Sequence, residues 1–222
     1  MLFRSKDYFE QYGDIESYMR QEKLKSITNI PTSLFPLEDD LFSDFSMHPN
    51  DMDIEISEIP NNLFQTLLDI TSSHINKVPV GRNIQLVAKE KNTGKIIGFI
   101  RLGSPVIYMK PRHDFLGQVF SQKPEWAKRF NDSVIMGFVI VPSQPFGFNY
   151  LGGKLLSAIC VSHEVREICN KKYNTNICMF ETTSLYGSTK GVSQYDGMKP
   201  YIRYKGLTDS DMVPMKIGRA HV

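Results

Sequence analysis

Apolar residues recur along this chain with two different periods, and each change of period marks an element. Residues 6–25 place Tyr8, Phe9, Tyr12, Ile15, Tyr18, Met19 and Leu24 among charges at helical spacing, which predicts an amphipathic helix. That rhythm is lost over residues 28–50. Pro31, Pro36, Pro49 and the acidic run Glu38, Asp39, Asp40 surround Phe35, Phe42 and Phe45 there, which predicts an extended arm or lid rather than a core element. A short alternating strand follows over 53–58. Pro60 then opens a helix over 61–74, with Leu63, Phe64, Leu67, Leu68 and Ile70 on one face. Residues 83–90 and 95–102 form a hairpin closed by Lys91, Asn92, Thr93 and Gly94.

The segment 104–132 is polar and aromatic, interrupts the strands and is expected to be partly helical. After it, the near-continuous apolar run VIMGFVIV over 134–141 predicts a central strand covered on both faces. Pro142 cannot donate to a ladder and stops it. Gly147, Gly152 and Gly153 are expected to let the backbone turn into a helix over 152–172, followed by a strand over 176–183 and a last strand region over 198–207. The order predicts an α/β (α+β) domain over 51–216 with the insertion 104–132, preceded by an N-terminal helix and arm over 1–50. The last residues, 217–222, spell IGRAHV, which matches a translated sequencing adapter, so the natural C-terminus is expected to be missing and the chain to continue.

Composition narrows the class. With 222 residues, 41% hydrophobic and 23% charged, the chain suits one globular domain with an extension. A formal charge of +2 lacks the footprint of a general nucleic-acid binder but leaves room for a local basic face. There is no signal peptide and no apolar run long enough to span a bilayer, so no membrane partner is expected and the cytoplasm is the expected location. Cys160, Cys169 and Cys178 are odd in number and form no CxxC, which favours reduced thiols. Without HExxH or carboxylates at metal spacing, no metal site is expected.

The loop after Pro142 matches neither GxxxxGK[ST] nor GxGxxG, which argues against a magnesium-bound triphosphate. Its glycines and the helix N-terminus at Lys154 nonetheless suit a phosphate or pyrophosphate. The strand ending Val139, Ile140, Val141, Pro142, followed by Gln144, Gly147, Gly152 and Gly153 and then a helix, resembles the acyl-CoA loop of the GNAT N-acetyltransferases. PFGFNYL stretches that loop by a couple of residues and leaves one glycine before the final pair. The hairpin IQLVAKEKNTGKIIGFIRLG resembles the second and third strands of those domains, and YIRYKGL resembles their closing Y-x-x-x-G-F; together the likeness covers about two thirds of the chain. It implies a GNAT-like mixed sheet with flanking helices and a V-shaped strand opening at the cofactor loop. It also implies acetyl-CoA or a related acyl donor, held by Val139, Val141, Gln144, Gly147, Gly152, Gly153 and Lys154, and an amine acceptor: a DNA base, a protein lysine or a small amine.

A closer likeness lies in the second half. FIRLGSPV, FVIVPSQPFGFNYLGGKLLS, ICMFETTSLYGS and YKGLT, with the motif Phe180, Glu181, Thr182, resemble the DruA-like domains of phages and of the Druantia anti-phage system. The order resembles, more distantly, the Mom-type phage enzymes that acylate DNA adenine. These likenesses imply a phage or defence context, and a host cytoplasm if a phage encodes the chain. An acyltransferase needs a base for the amine and an acid for the leaving group. Glu181 at a strand end is the candidate base, with an ordinary Lys or Arg partner role as the alternative. Thr182, Thr183 and Ser184 either orient substrate or form a turn. Tyr201 lies nearest the place of the GNAT acidic tyrosine, with Ile202 in the expected position and Tyr186, Tyr195 and Tyr204 as competing phenols. Arg112 and His113 are expected to be solvated loop charges, with an anion grip as the alternative, and His163 a packed or rim histidine. The competing functional class is a non-catalytic phage interaction or anti-defence protein that keeps the fold.

Overall fold

A computed structural model of the chain describes residues 40–71, 80–119, 123–143, 146–150, 152–183 and 195–206. The predicted helix over 6–25, Gln144, Ser184, Tyr186 and residues 217–222 lie outside the described residues. Five strands, β1 (Ile54–Glu58), β2 (Asn83–Glu90), β3 (Lys95–Gly103), β4 (Val134–Pro142) and β5 (Met179–Thr182), form one mixed sheet in chain order. The pairs β1–β2, β2–β3 and β3–β4 are antiparallel, and β4–β5 is parallel.

The hairpin between β2 and β3 is built around a buried acid. Gly94 turns the chain at φ 70, a conformation that costs a Cβ-free residue little. Glu90 accepts hydrogen bonds from the Thr93 N–H (2.7 Å), the Asn92 N–H (3.2 Å) and the Asp53 N–H (3.3 Å). Burial pushes its carboxyl up, but the bonds from Thr93, Asn92 and Asp53 outweigh it and hold the group below the ordinary carboxylate value. A depressed folded value means this stabilisation is present above the unfolded value and is lost as pH falls through the folded one. Glu90→Gln is therefore expected to lower stability by about 2 kcal/mol at neutral pH. Urea titrations should show the gap to wild type closing in acid.

Helices cover both faces of the sheet, which is why β3 is buried along almost its whole length. On one face α1 (Asn61–Thr71) sets Phe64, Leu67 and Leu68 against Val87, Phe99, Val139 and Val141. The insertion contributes α2 (Lys110–Leu116) and α3 (Pro124–Ser133), each opened by a proline in its first turn. A single-turn α4 (Phe146–Asn149) then leads to α5 (Gly152–Ile159) and α6 (His163–Tyr173). These last two close the other face with Leu156, Ile159, Val165 and Cys169 over Leu86, Ile97, Ile100 and Ile135. Among the described residues no helix is long and apolar enough to cross a membrane.

Four sequence expectations are corrected. Phe42 belongs to the core: it is 1% exposed, its N–H donates to the Ile96 carbonyl, and its ring meets Phe146 edge-on at 5.4 Å. The helix expected over 152–172 is two helices, because the Ser162 hydroxyl accepts from the Val165 N–H and caps a new start. The strand expected over 176–183 is only Met179–Thr182; before it, Asn176 and Cys178 donate to the Asp132 and Ser133 carbonyls at the end of α3. Residues 198–206 are a turn followed by irregular chain, not strand. The Met198 carbonyl accepts from both Tyr201 and Ile202, and Pro200 has no N–H to offer a ladder.

The geometry that matters most lies at the end of the parallel pair. Arg101 pairs with Val139 and Leu102 with Gly137, so Phe138 is an extra residue, a bulge in β4. Pairing with β5 stops at the same level, at Gly137 opposite Thr182. Beyond it β4 continues to Pro142 with no strand beside it on that side among the described residues.

Candidate functional site

Glu181 sits opposite Met136 in the parallel register, one residue before the pairing ends. Its side chain is 10% exposed and faces the buried Arg112 of α2, whose Nη1 donates to Oε1 at 2.8 Å and to Oε2 at 3.1 Å. The other arm of the guanidinium donates to the Ile107 carbonyl at 2.7 Å, and the group lies 4.3 Å over the Phe130 ring. His113 beside it is also buried and meets Tyr108 edge-on. The expectation of solvated loop charges at Arg112 and His113 is thus corrected: α2 packs its first turn onto the sheet and carries both inward.

Electrostatics at this pair are balanced by burial. Desolvation pushes the Glu181 carboxyl up from its ordinary value, and the charge and hydrogen bond of Arg112 pull it back without cancelling the rise. Thr182 donates to the Gly137 carbonyl at 3.0 Å and lies 3.5 Å from the Tyr195 hydroxyl. Thr183 is exposed. Among the described residues Tyr195 is therefore the phenol that reaches the end of β5, whereas Tyr201 is 71% exposed in a turn outside the sheet. His163 is on the solvent side of α6, 3.9 Å from Glu167.

The loop residues divide by role. Val139 and Val141 bury their side chains under α1. The Ser143 N–H donates to the Ile97 carbonyl, and strand alternation then directs the backbone of Val141 and Val139 toward β3 as well. Ile140 is the residue whose backbone faces the open side. Gly147 lies within α4 and donates to the Ser143 carbonyl at 2.8 Å. Neither Gly152 nor Gly153 adopts a positive φ, so the expected glycine turn is not their role. A Cβ on Gly152 would lie 2.8 Å from the Phe146 ring and 2.9 Å from Pro142 Cβ, so the residue is a packing contact. Gly153 has open space in front of it, and Lys154 is exposed. Gly152→Leu is expected to cost about 3 kcal/mol, at the upper end for overpacking, because a six-atom ring and a proline must move. Thermal melts should show the loss, with Gly153→Ala close to wild type.

Several features escaped the sequence. A cleft of about 570 Å³ opens beside the bulge residue Phe138, walled by Phe130 and Asn131 of α3 and by residues 104–108. Arg101 lies in the middle of β3, wholly buried, 4.4 Å over the Phe64 ring. Its Nη2 donates to Asn61 at 3.1 Å, while Nε and Nη1 have no partner among the described residues. Arg82 ties the start of β2 to the start of β4 through the Val134 carbonyl at 2.9 Å. A charged residue inside an apolar strand run such as FIRLG is the signal that could have pointed to Arg101. Among the described residues no group of His, Cys, Asp or Glu could hold a metal ion.

No curated protein and no solved structure matches the chain. A family model does, that of the Druantia protein DruA, and it spans residues 14–196. That span takes in the whole sheet, the insertion and the Arg112–Glu181 pair, and the chain belongs to the Druantia protein DruA family.

Proposed function

We propose that this chain is a GNAT-like acyltransferase of phage origin that moves an acyl group from a thioester donor, such as acetyl-CoA, to an amine, with a DNA base as the first acceptor to test. One observation carries this reading: the parallel β4–β5 pair ends at a bulge, β4 runs on with no partner on the β5 side among the described residues, and the N-terminus of α5 comes after the single-turn α4, with a largely buried acid at the fork. The chain's own groups suit such a donor. The backbone of Ile140 faces the open side, and the first-turn N–H groups of α5 at Gly153 and Lys154 have no intrahelical partners and favour a pyrophosphate. When bound, the thioester would supply an activated acyl carbon.

Glu181 would accept the proton that the attacking amine loses, helped by a proton affinity already raised by burial. Arg112 would hold that carboxylate in one orientation. Tyr195, rather than Tyr201, is then the better candidate to protonate the leaving sulfur. A second reading, a non-catalytic interaction or anti-defence protein on the same fold, is favoured by the ion pair itself, because a carboxylate neutralised by a guanidinium serves equally as a lock between α2 and β5. Native mass spectrometry with acetyl-CoA, followed by nucleoside, peptide and amine analysis, separates the two. A retained donor and an acylated product support the enzyme. Absence of both across all three acceptor classes selects the interaction protein.

A further inference from the structure

Charge is unevenly spread over this molecule. Besides the buried, paired Arg112, residues 104–133 and 195–206 together carry seven Lys and Arg against four Asp and Glu, while the whole chain carries 26 against 24. The two segments adjoin, because Lys205 Nζ lies 3.4 Å over the Phe115 ring and Gly206 comes up against Pro111. Lys199, Arg203 and Lys205 are exposed there. Exposed aromatic rings are interleaved with them: Tyr108, Phe115, Tyr201 and Tyr204. Between α3 and residues 104–108 opens the apolar cleft that Phe130 and Phe138 line.

We propose that this face binds single-stranded nucleic acid, with one unpaired base entering the cleft between Phe130 and Phe138 and the flanking phosphates meeting Lys199, Arg203 and Lys205. The proposal rests on the nucleic-acid branch of the acyltransferase reading, for which it names the strand-binding surface, and it is measured without any acyl donor. Basic groups alone would suit any polyanion. Protruding rings select a strand whose bases are free to stack, since a duplex hides those faces. A cleft of about 570 Å³ is of the size that admits small planar ligands, and its apolar walls need only a π-face from the guest.

The test is fluorescence anisotropy with a labelled single strand of about 20 nucleotides and with its duplex, over a salt series. The single strand should bind more tightly than the duplex, with a slope of log K against log salt of about −2, as for three phosphate contacts. Arg203→Ala with Lys205→Ala should flatten the slope by about 1.4. Tyr204→Ala and Phe115→Ala should each weaken binding by about fivefold or more. The control pair Arg166→Ala and Lys171→Ala, exposed on α6 across the sheet, should leave it unchanged. All these side chains are exposed, so unchanged circular dichroism melts will show intact folds. No binding at low salt, equal affinity for the duplex, or equal loss from the α6 control would overturn the proposal. Strand binding without acyl transfer would instead remove the enzyme and leave this surface, and acylation of a lysine or small amine without strand binding would do the reverse.

Discussion

Arg112→Ala is expected to cost about 3–5 kcal/mol of stability at pH 8, the scale of breaking a buried ion pair by removing one partner. The loss has two sources. Glu181 would keep its burial but lose the guanidinium that donates to both of its oxygens, and the Phe130 ring would lose the cation lying over it. The pH dependence has a definite sign. With Arg112 gone, nothing offsets the burial that already raises the Glu181 carboxyl, so its folded value rises further. An acid raised on folding contributes stability that is fully present below its unfolded value and is lost as pH rises through the folded one. The variant should therefore lie closer to wild type at pH 5 than at pH 8 in urea unfolding. Adding Glu181→Gln to Arg112→Ala should recover part of the loss at pH 8, because the neutral amide costs less to bury. Equal deficits at both pH values would mean that the damage is lost packing of α2 and not an orphaned charge.

The sequence made this pair half legible. Glu181 stood out because it sits at a strand end in the motif Phe180, Glu181, Thr182, with a Lys or Arg partner as the ordinary alternative. Its partner did not, since Arg112 is 69 positions away and only the packing of α2 joins them. The same distinction runs through the fold. The β2–β3 hairpin and β4 were readable because their signals are local: a turn around Gly94 and an apolar run ended by Pro142. Phe42 was misread because what buries it, Phe146 and Tyr150, comes from the loop after β4 some hundred residues on. The strand expected over 198–207 failed for a local reason instead, since alternation there competes with Pro200 and with a carbonyl at Met198 already bonded to Tyr201 and Ile202. Phe138 as a bulge had no sequence signature at all, because register is a property of two strands.

If the proposed acyltransferase reading holds, the largest expected effect on activity belongs to Glu181→Gln, which should cut acyl transfer by about 100-fold or more while leaving donor binding intact, because the amide keeps the shape but cannot take the amine's proton. The structure adds a constraint on how this must look. Arg112 can still donate to the amide oxygen but loses its counter-charge, so the variant should melt below wild type, and its rate is to be compared at a temperature where circular dichroism shows both proteins folded. In the wild type the carboxyl must be ionised to act, and burial has raised it, so the acid limb of the rate should lie above the ordinary carboxylate range and rise with pH through that raised value. In Glu181→Gln that limb should vanish along with most of the rate. The measurement is single-turnover acylation with a thioester donor over pH 4–9, paired with donor affinity by calorimetry. A variant with wild-type rate and pH profile would make the Arg112–Glu181 pair a structural clamp, and the amine's proton would then have to leave through a group other than this carboxylate.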